Sequence, residues 1–92
     1  MRTVWKYHLP IQDEPTDLTI PKGAEVLFVD DQGLGSVVSL WMLVDPERGV
    51  VPRRFTVRCT GQPIHDDSEQ YVGSCLMYGG SLVWHVFETP PS

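Results

Sequence analysis

The stretch Arg53-Arg54-Phe55-Thr56-Val57-Arg58-Cys59-Thr60 alternates residue by residue between two chemistries. Phe55, Val57 and Cys59 share one face, while Arg54, Thr56, Arg58 and Thr60 share the other. A period of two with one apolar face marks a strand half-buried in a sheet. Just before it, residues 50–52 read as a loop or an edge segment, because Pro52 has no N–H to give a ladder. Just after it, residues 61–70 make the longest polar stretch, with Asp66 placed to cap one short helical turn over residues 66–71.

The same reading extends in both directions. Thr3, Trp5, Tyr7 and Leu9 fall on one face of a first strand, with Val4, Lys6 and His8 on the other and Pro10 at its end. Residues 12–17 are polar, contain Pro15 and read as a loop, followed by a short strand at Leu18-Thr19-Ile20. Pro21-Lys22-Gly23 makes a tight turn, proline fixing φ and glycine relaxing the exit. Residues 24–29 and 37–44 are strands separated by a glycine-containing hairpin loop at 30–36, and Asp45-Pro46-Glu47-Arg48-Gly49 is a further turn. Residues 71–78 and 81–88 are strands joined at Gly79-Gly80, a two-residue hairpin signal of the primed kind. Residues 89–92 form a frayed tail. No segment holds a helical period beyond a turn. The expectation is one all-β domain over residues 1–92, a small antiparallel β-sandwich or barrel of about six to seven strands, mostly hairpin-connected.

Ninety-two residues allow one domain with a modest core. Seven basic against twelve acidic residues give a net charge of −5, which disfavours an electrostatic grip on nucleic acid or an anionic membrane. The longest apolar run, residues 37–44, is of strand length and is broken by Ser39, short of the roughly 18–20 residues that span a bilayer. The first residues lack the apolar core of a signal peptide, and only Cys59 and Cys75 are present. Together these predict a soluble cytosolic protein with two reduced thiols. Residues 24–29 and 37–44 are apolar on both faces, which is hard to satisfy in so short a chain. A homo-oligomer is therefore expected, the alternative being a small barrel with those strands central.

Five stretches, in this order, resemble a known family: Val4-Trp5-Lys6-Tyr7; Ile20-Pro21-Lys22-Gly23-Ala24; Leu40-Trp41 with Val44-Asp45-Pro46; Thr60-Gly61-Gln62-Pro63-Ile64; and Gly79-Gly80-Ser81-Leu82-Val83-Trp84-His85-Val86-Phe87. The resemblance is to small actinobacteriophage proteins catalogued as a domain of unknown function, and it covers most of the chain. Relatives often carry histidine where Gln62 stands here. The resemblance implies a phage-encoded accessory protein acting in the host bacterial cytoplasm, and it implies no activity. Small phage proteins commonly bind a host protein or neutralise a host defence, which is an analogy of context.

Four groups of residues have the chemistry for a site. Arg54 and Arg58 lie about 13 Å apart along one strand, and with Thr56 and Thr60 they suit the phosphates of a nucleotide, because guanidinium donates two bonds at once. Trp5, Tyr7, Trp41 or Trp84 would stack a base. The competing reading is an ordinary solvated strand face. His65, Asp66 and Asp67 have the groups for a divalent ion or acid–base work, against a polar loop whose aspartates cap a turn. Cys59, His65, Cys75 and His85 are zinc-ligand types at spacings unlike paired zinc knuckles, so metal binding is not expected. Trp5, Tyr7, Trp84 and His85 are the candidates for a protein-binding patch, against their use as core fillers.

None of these sets supplies a convergent acid, base and nucleophile. The expectation is a non-catalytic binding protein without cofactor or metal, acting on a host or phage protein. The alternatives are an oligomer that sequesters a small anionic or nucleotide ligand between subunits, and a purely structural phage protein. Nucleic acid and membrane are not expected partners.

Overall fold

The computed structural model describes residues 1–33 and 35–91. Leu34 of the expected loop at 30–36 and Ser92 of the expected tail lie outside the described residues. Seven strands form: β1 (Thr3–Pro10), β2 (Thr16–Pro21), β3 (Glu25–Asp30), β4 (Val37–Val44), β5 (Val50–Cys59), β6 (Gln70–Met77) and β7 (Leu82–Thr89). They make a three-stranded sheet in the order β1-β4-β3 and a four-stranded sheet in the order β2-β5-β7-β6. Every pair is antiparallel. The two sheets stack as a sandwich rather than closing as a barrel, with β1 over β5 and β3 over β6.

The connections correct the expectation of mostly hairpins. Only β3–β4 and β6–β7 pair as sequence neighbours. The steps β1 to β2, β2 to β3 and β4 to β5 pass from one sheet to the other, and β7 inserts between β5 and β6. The turn residues were right, but their geometry is an arch. At Pro21-Lys22-Gly23, Gly23 has φ +77°, and a Cβ there would lie 2.9 Å from Arg48 Nη1. The Lys22 amide donates to the Gly49 carbonyl at 2.9 Å, so the two sheet-changing arches lock together at one end of the sandwich.

Pro52 lies inside β5, not in a loop. It stands opposite Thr19 of β2, while the β7 ladder stops at Arg54↔Thr89. On that side Pro52 is at a local edge, so its missing N–H costs no ladder bond. The expected two-residue turn at Gly79-Gly80 is longer. Met77 pairs with Leu82, and a 3₁₀ turn covers Tyr78–Gly80. The expected helical turn near Asp66 is a β-turn, with the Glu69 amide donating to the Asp66 carbonyl at 3.1 Å.

The core is the inner face of each sheet. Leu9, Val38, Leu40 and Met42 from one sheet and Ile20, Phe55 and Val86 from the other are fully buried. Arg53 joins the layers: its Nε and Nη2 donate to Glu88 at 2.6 and 2.8 Å, and its Nη1 reaches the Ala24 carbonyl at 2.6 Å. The second apolar face of β4 is partly covered within the chain. Lys6 and Phe28 flank Trp41 in register, the Phe28 and Trp41 rings lie 5.7 Å apart, and Lys6 Nζ stands 5.4 Å from the Trp41 ring and donates to Gln32. β3 is wetter than its composition suggests. A bulge between Val26 and Phe28 leaves Leu27 and Phe28 exposed.

Candidate functional site

Alternation in β5 sends Arg54, Thr56 and Arg58 to the outer face of the four-stranded sheet, opposite the core residues Phe55 and Val57. Both arginines meet carboxylates there. Arg54 sits across from Asp17 and donates to it through Nε at 2.9 Å and Nη2 at 3.2 Å. This bond holds the Asp17 carboxyl below its usual range and raises Arg54. Arg58 donates to Glu69 at 2.7 Å, and the Glu69 side chain is buried. The polar segment after β5 therefore folds back across the outer face. Arg58 Nε and Glu69 Oε1 are buried with no partner among the described residues. Thr56, between Arg54 and Arg58 along that face of β5, is buried opposite Phe87.

A cleft of about 510 Å³ opens beside Arg54, lined also by Asp17, Pro52, Asp66, Ser68 and Pro91. Arg58 and the tryptophans do not line it. Trp41 belongs to the outer face of the other sheet, and Trp84 to the inner face of β7, where its indole N–H donates to Met77 Sδ at 3.2 Å. One chain thus does not bring the expected nucleotide set of Arg54, Thr56, Arg58, Thr60, Trp41 and Trp84 to one place. A small anion would have to displace Asp17 or Glu69 from its arginine.

Thr60 instead joins a chain of hydroxyls and imidazole. Its Oγ1 lies 2.8 Å from His85 Nε2, Ser74 Oγ lies 2.7 Å from His85 Nδ1, and Tyr71 Oη lies 2.8 Å from Ser74 Oγ. Register explains the grouping, because Arg58, His85 and Ser74 form one row across β5, β7 and β6. The pair Ser74–His85 has nucleophile–base geometry. A triad needs a carboxylate to orient the imidazole, and Thr60 occupies that position here.

The remaining sets divide across the sheets. Cys59 and Cys75 flank Trp84 on the inner face, both free, while His85 points outward. The zinc-type set is split by the sheet itself. Two strand spacings put the cysteines about 10 Å apart, beyond the roughly 7 Å limit for a disulfide. Asp66 serves its own turn: its Oδ1 accepts from the Ser68 amide at 2.9 Å and the Ser68 hydroxyl at 2.6 Å, which lowers its carboxyl. Trp5 and Tyr7 are on β1 in the other sheet from Trp84 and His85. Trp5 is 42% exposed on that edge strand, while burial pushes the half-buried Tyr7 phenol up. Gln62 pins the loop after β5, its side chain accepting from the Cys59 amide at 3.1 Å and donating to Asp13 at 3.2 Å.

The sequence profile of one family matches residues 1–92. The chain belongs to DUF7352, a domain of unknown function. No curated protein and no solved structure matches it.

Residue-by-residue reading missed the exposed apolar side chains at the β6–β7 tip of this DUF7352 domain, where Leu76 stands on the outer face of the hairpin and Leu82 on the inner one. At the β6–β7 tip, Leu76 is 63% exposed, Tyr78 66% and Leu82 39%. Tyr78 has φ +53°, and Gly79 and Gly80 follow at +65° and +95°. Glycine takes that region freely, whereas a tyrosine there is strained by about 1 kcal/mol or more. Ser81 braces the tip, its hydroxyl donating to the Tyr78 carbonyl at 2.9 Å. The available signal was three bulky apolar residues around a Gly-Gly turn, where a hairpin tip projects beyond any core.

Proposed function

We propose that this DUF7352 domain is a non-catalytic binding protein, encoded by a phage, that engages a host or phage protein in the bacterial cytoplasm through its β6–β7 tip. The observation that carries this reading is Tyr78. A large aromatic side chain is held outward, 66% exposed, on a backbone conformation that costs free energy. Leu76 and Leu82 are exposed on opposite faces of the same tip, and Tyr is among the residues that dominate binding hot spots. The phage context is supported by the five stretches that resemble actinobacteriophage proteins.

Catalysis is disfavoured by the way the polar groups are spent. Arg54, Arg58 and Arg53 are each tied to a carboxylate, and Asp66 to its own turn. The test is affinity capture from lysate of a susceptible actinobacterium, comparing the native chain with Tyr78→Ser and Leu82→Ser. A partner enriched by the native chain and lost with both variants, each still folded by circular dichroism, is the expected result. A partner retained by both variants, or none enriched at all, removes the tip from the argument.

A further inference from the structure

We propose that β6 is a self-pairing edge, to which a second copy of this chain adds its own β6 antiparallel around a two-fold axis. The sandwich has four edge strands, β1 and β3 in one sheet and β2 and β6 in the other. Open edges present unpaired N–H and C=O groups, and proteins protect them with charges, prolines and bulges. Three of these edges carry such protection. β1 has Lys6, His8 and Pro10; β2 has Asp17 and Pro21; β3 has Glu25, Asp30 and a bulge after Val26.

β6 is different. Its sequence, Gln70-Tyr71-Val72-Gly73-Ser74-Cys75-Leu76-Met77, contains no charged residue and no proline. It pairs with β7 on one side only. Its register shift falls early, between Tyr71 and Gly73, so Gly73 to Met77 run on as an uninterrupted strand. Tyr71 and Leu76, 62% and 63% exposed, flank the open edge. Backbone groups would supply the bonds and these side chains the apolar cover.

Charge selects both the occupant and its direction. Self-pairing sets β6 opposite β6, so no like charges meet. Asp66, Asp67 and Glu69 lie just before β6, and its far end at Met77 and Tyr78 is uncharged. Antiparallel pairing puts each acidic segment beside the neutral end of the other copy. The two acidic segments then stand about 26 Å apart, well beyond a screening length of about 8 Å. Parallel pairing would bring six carboxylates together. The product is one eight-stranded sheet flanked by two three-stranded ones, an isologous contact of the commonest kind. The contact is narrow, so dissociation in the micromolar range is expected.

The experiment needs no other protein, so its outcome is separate from that of the tip reading. Molar mass is measured by sedimentation from about 1 to 200 μM for the native chain, Leu76→Lys on β6 and, as a control away from β6, Val4→Lys on the β1 edge. The native chain and Val4→Lys are expected to double in mass across this range, while Leu76→Lys stays monomeric. Hydrogen exchange of the native chain is the second measurement. The β6 amides directed away from β7 should slow as concentration rises, with β1 and β2 amides unchanged. A native chain that stays monomeric, with concentration-independent β6 exchange, overturns the proposal. So does a dimer that survives Leu76→Lys.

Discussion

Arg53 holds Glu88 through two parallel hydrogen bonds of 2.6 and 2.8 Å, and it does so from inside the sandwich. Both side chains are 19% exposed, and the Arg53 guanidinium also lies over the Phe55 ring and on the Ala24 carbonyl. Removing one partner leaves the other charge partly withdrawn from water without its hydrogen bonds, which costs about 1–3 kcal/mol. Glu88→Gln and Arg53→Lys should both lower the urea midpoint, the lysine because it lacks the planar fork. A midpoint unchanged in both variants would show that the pair contributes nothing to stability.

Gly73 lies where β6 crosses β3. A Cβ built on it would stand 2.7 Å from Val29 Cγ2, too close for any rotamer of an ordinary core to absorb without movement. Gly73→Ala should therefore destabilise by about 1–3 kcal/mol. Val29→Ala opens the space, so the double variant should lose less than the sum of the two single changes, by at least about 0.5 kcal/mol. Strict additivity in urea unfolding would mean that these two positions do not meet.

The strands were legible because their signals are local. Alternation through Phe55, Val57 and Cys59 and punctuation at Pro21-Lys22-Gly23 and Asp45-Pro46 depend only on neighbours in the chain. Pairing is not local. β1 lies beside β4, its paired residues 27 to 41 positions apart from Pro10↔Val37 to Thr3↔Val44, because an arch and a hairpin can use the same turn residues. The site was harder for the same reason. Arg54 and Arg58 look like free anion ligands until β2 and the segment after β5 bring Asp17 and Glu69 to them. Trp41 and Trp84 look like companions of those arginines until topology assigns them to different layers. Tyr78 escaped attention because Gly79-Gly80 alone suggested a shorter turn.

Acid should loosen the outer face of the four-stranded sheet before it touches the core. The hydrogen bond from Arg54 holds the Asp17 carboxyl below its usual range, and hydrogen bonds from Ser68 do the same for Asp66. A carboxyl depressed in the folded state contributes stability above its unfolded value, and that contribution is lost as pH falls through its folded value. Stability should thus decline from about pH 4 downward. Asp17→Asn should flatten part of that decline. Carboxyl-carbon NMR titration of Asp17 and Asp66 gives the direct check, and ordinary aspartate midpoints for both would contradict it.

Cys75 should be the quieter of two behaviours, folded and unfolded, in any thiol assay. Burial pushes its thiol up, and the nearby carboxylates of Asp30 and Asp31 add to the shift. Because the thiolate is the nucleophile, a raised value means slow reaction while the sandwich is intact. Iodoacetamide at pH 8 should leave Cys75 largely unmodified in the native chain and label it quickly in urea, as peptide mapping would read. The raised value also stabilises the fold below the unfolded thiol value, near pH 8.5, and that share is lost as pH rises through the folded one. Cys75→Ser removes the titrating thiol, so its stability should fall less steeply than the native chain between pH 8 and 10. Equal labelling rates for folded and unfolded chains would place Cys75 in contact with solvent, contrary to its 6% exposure.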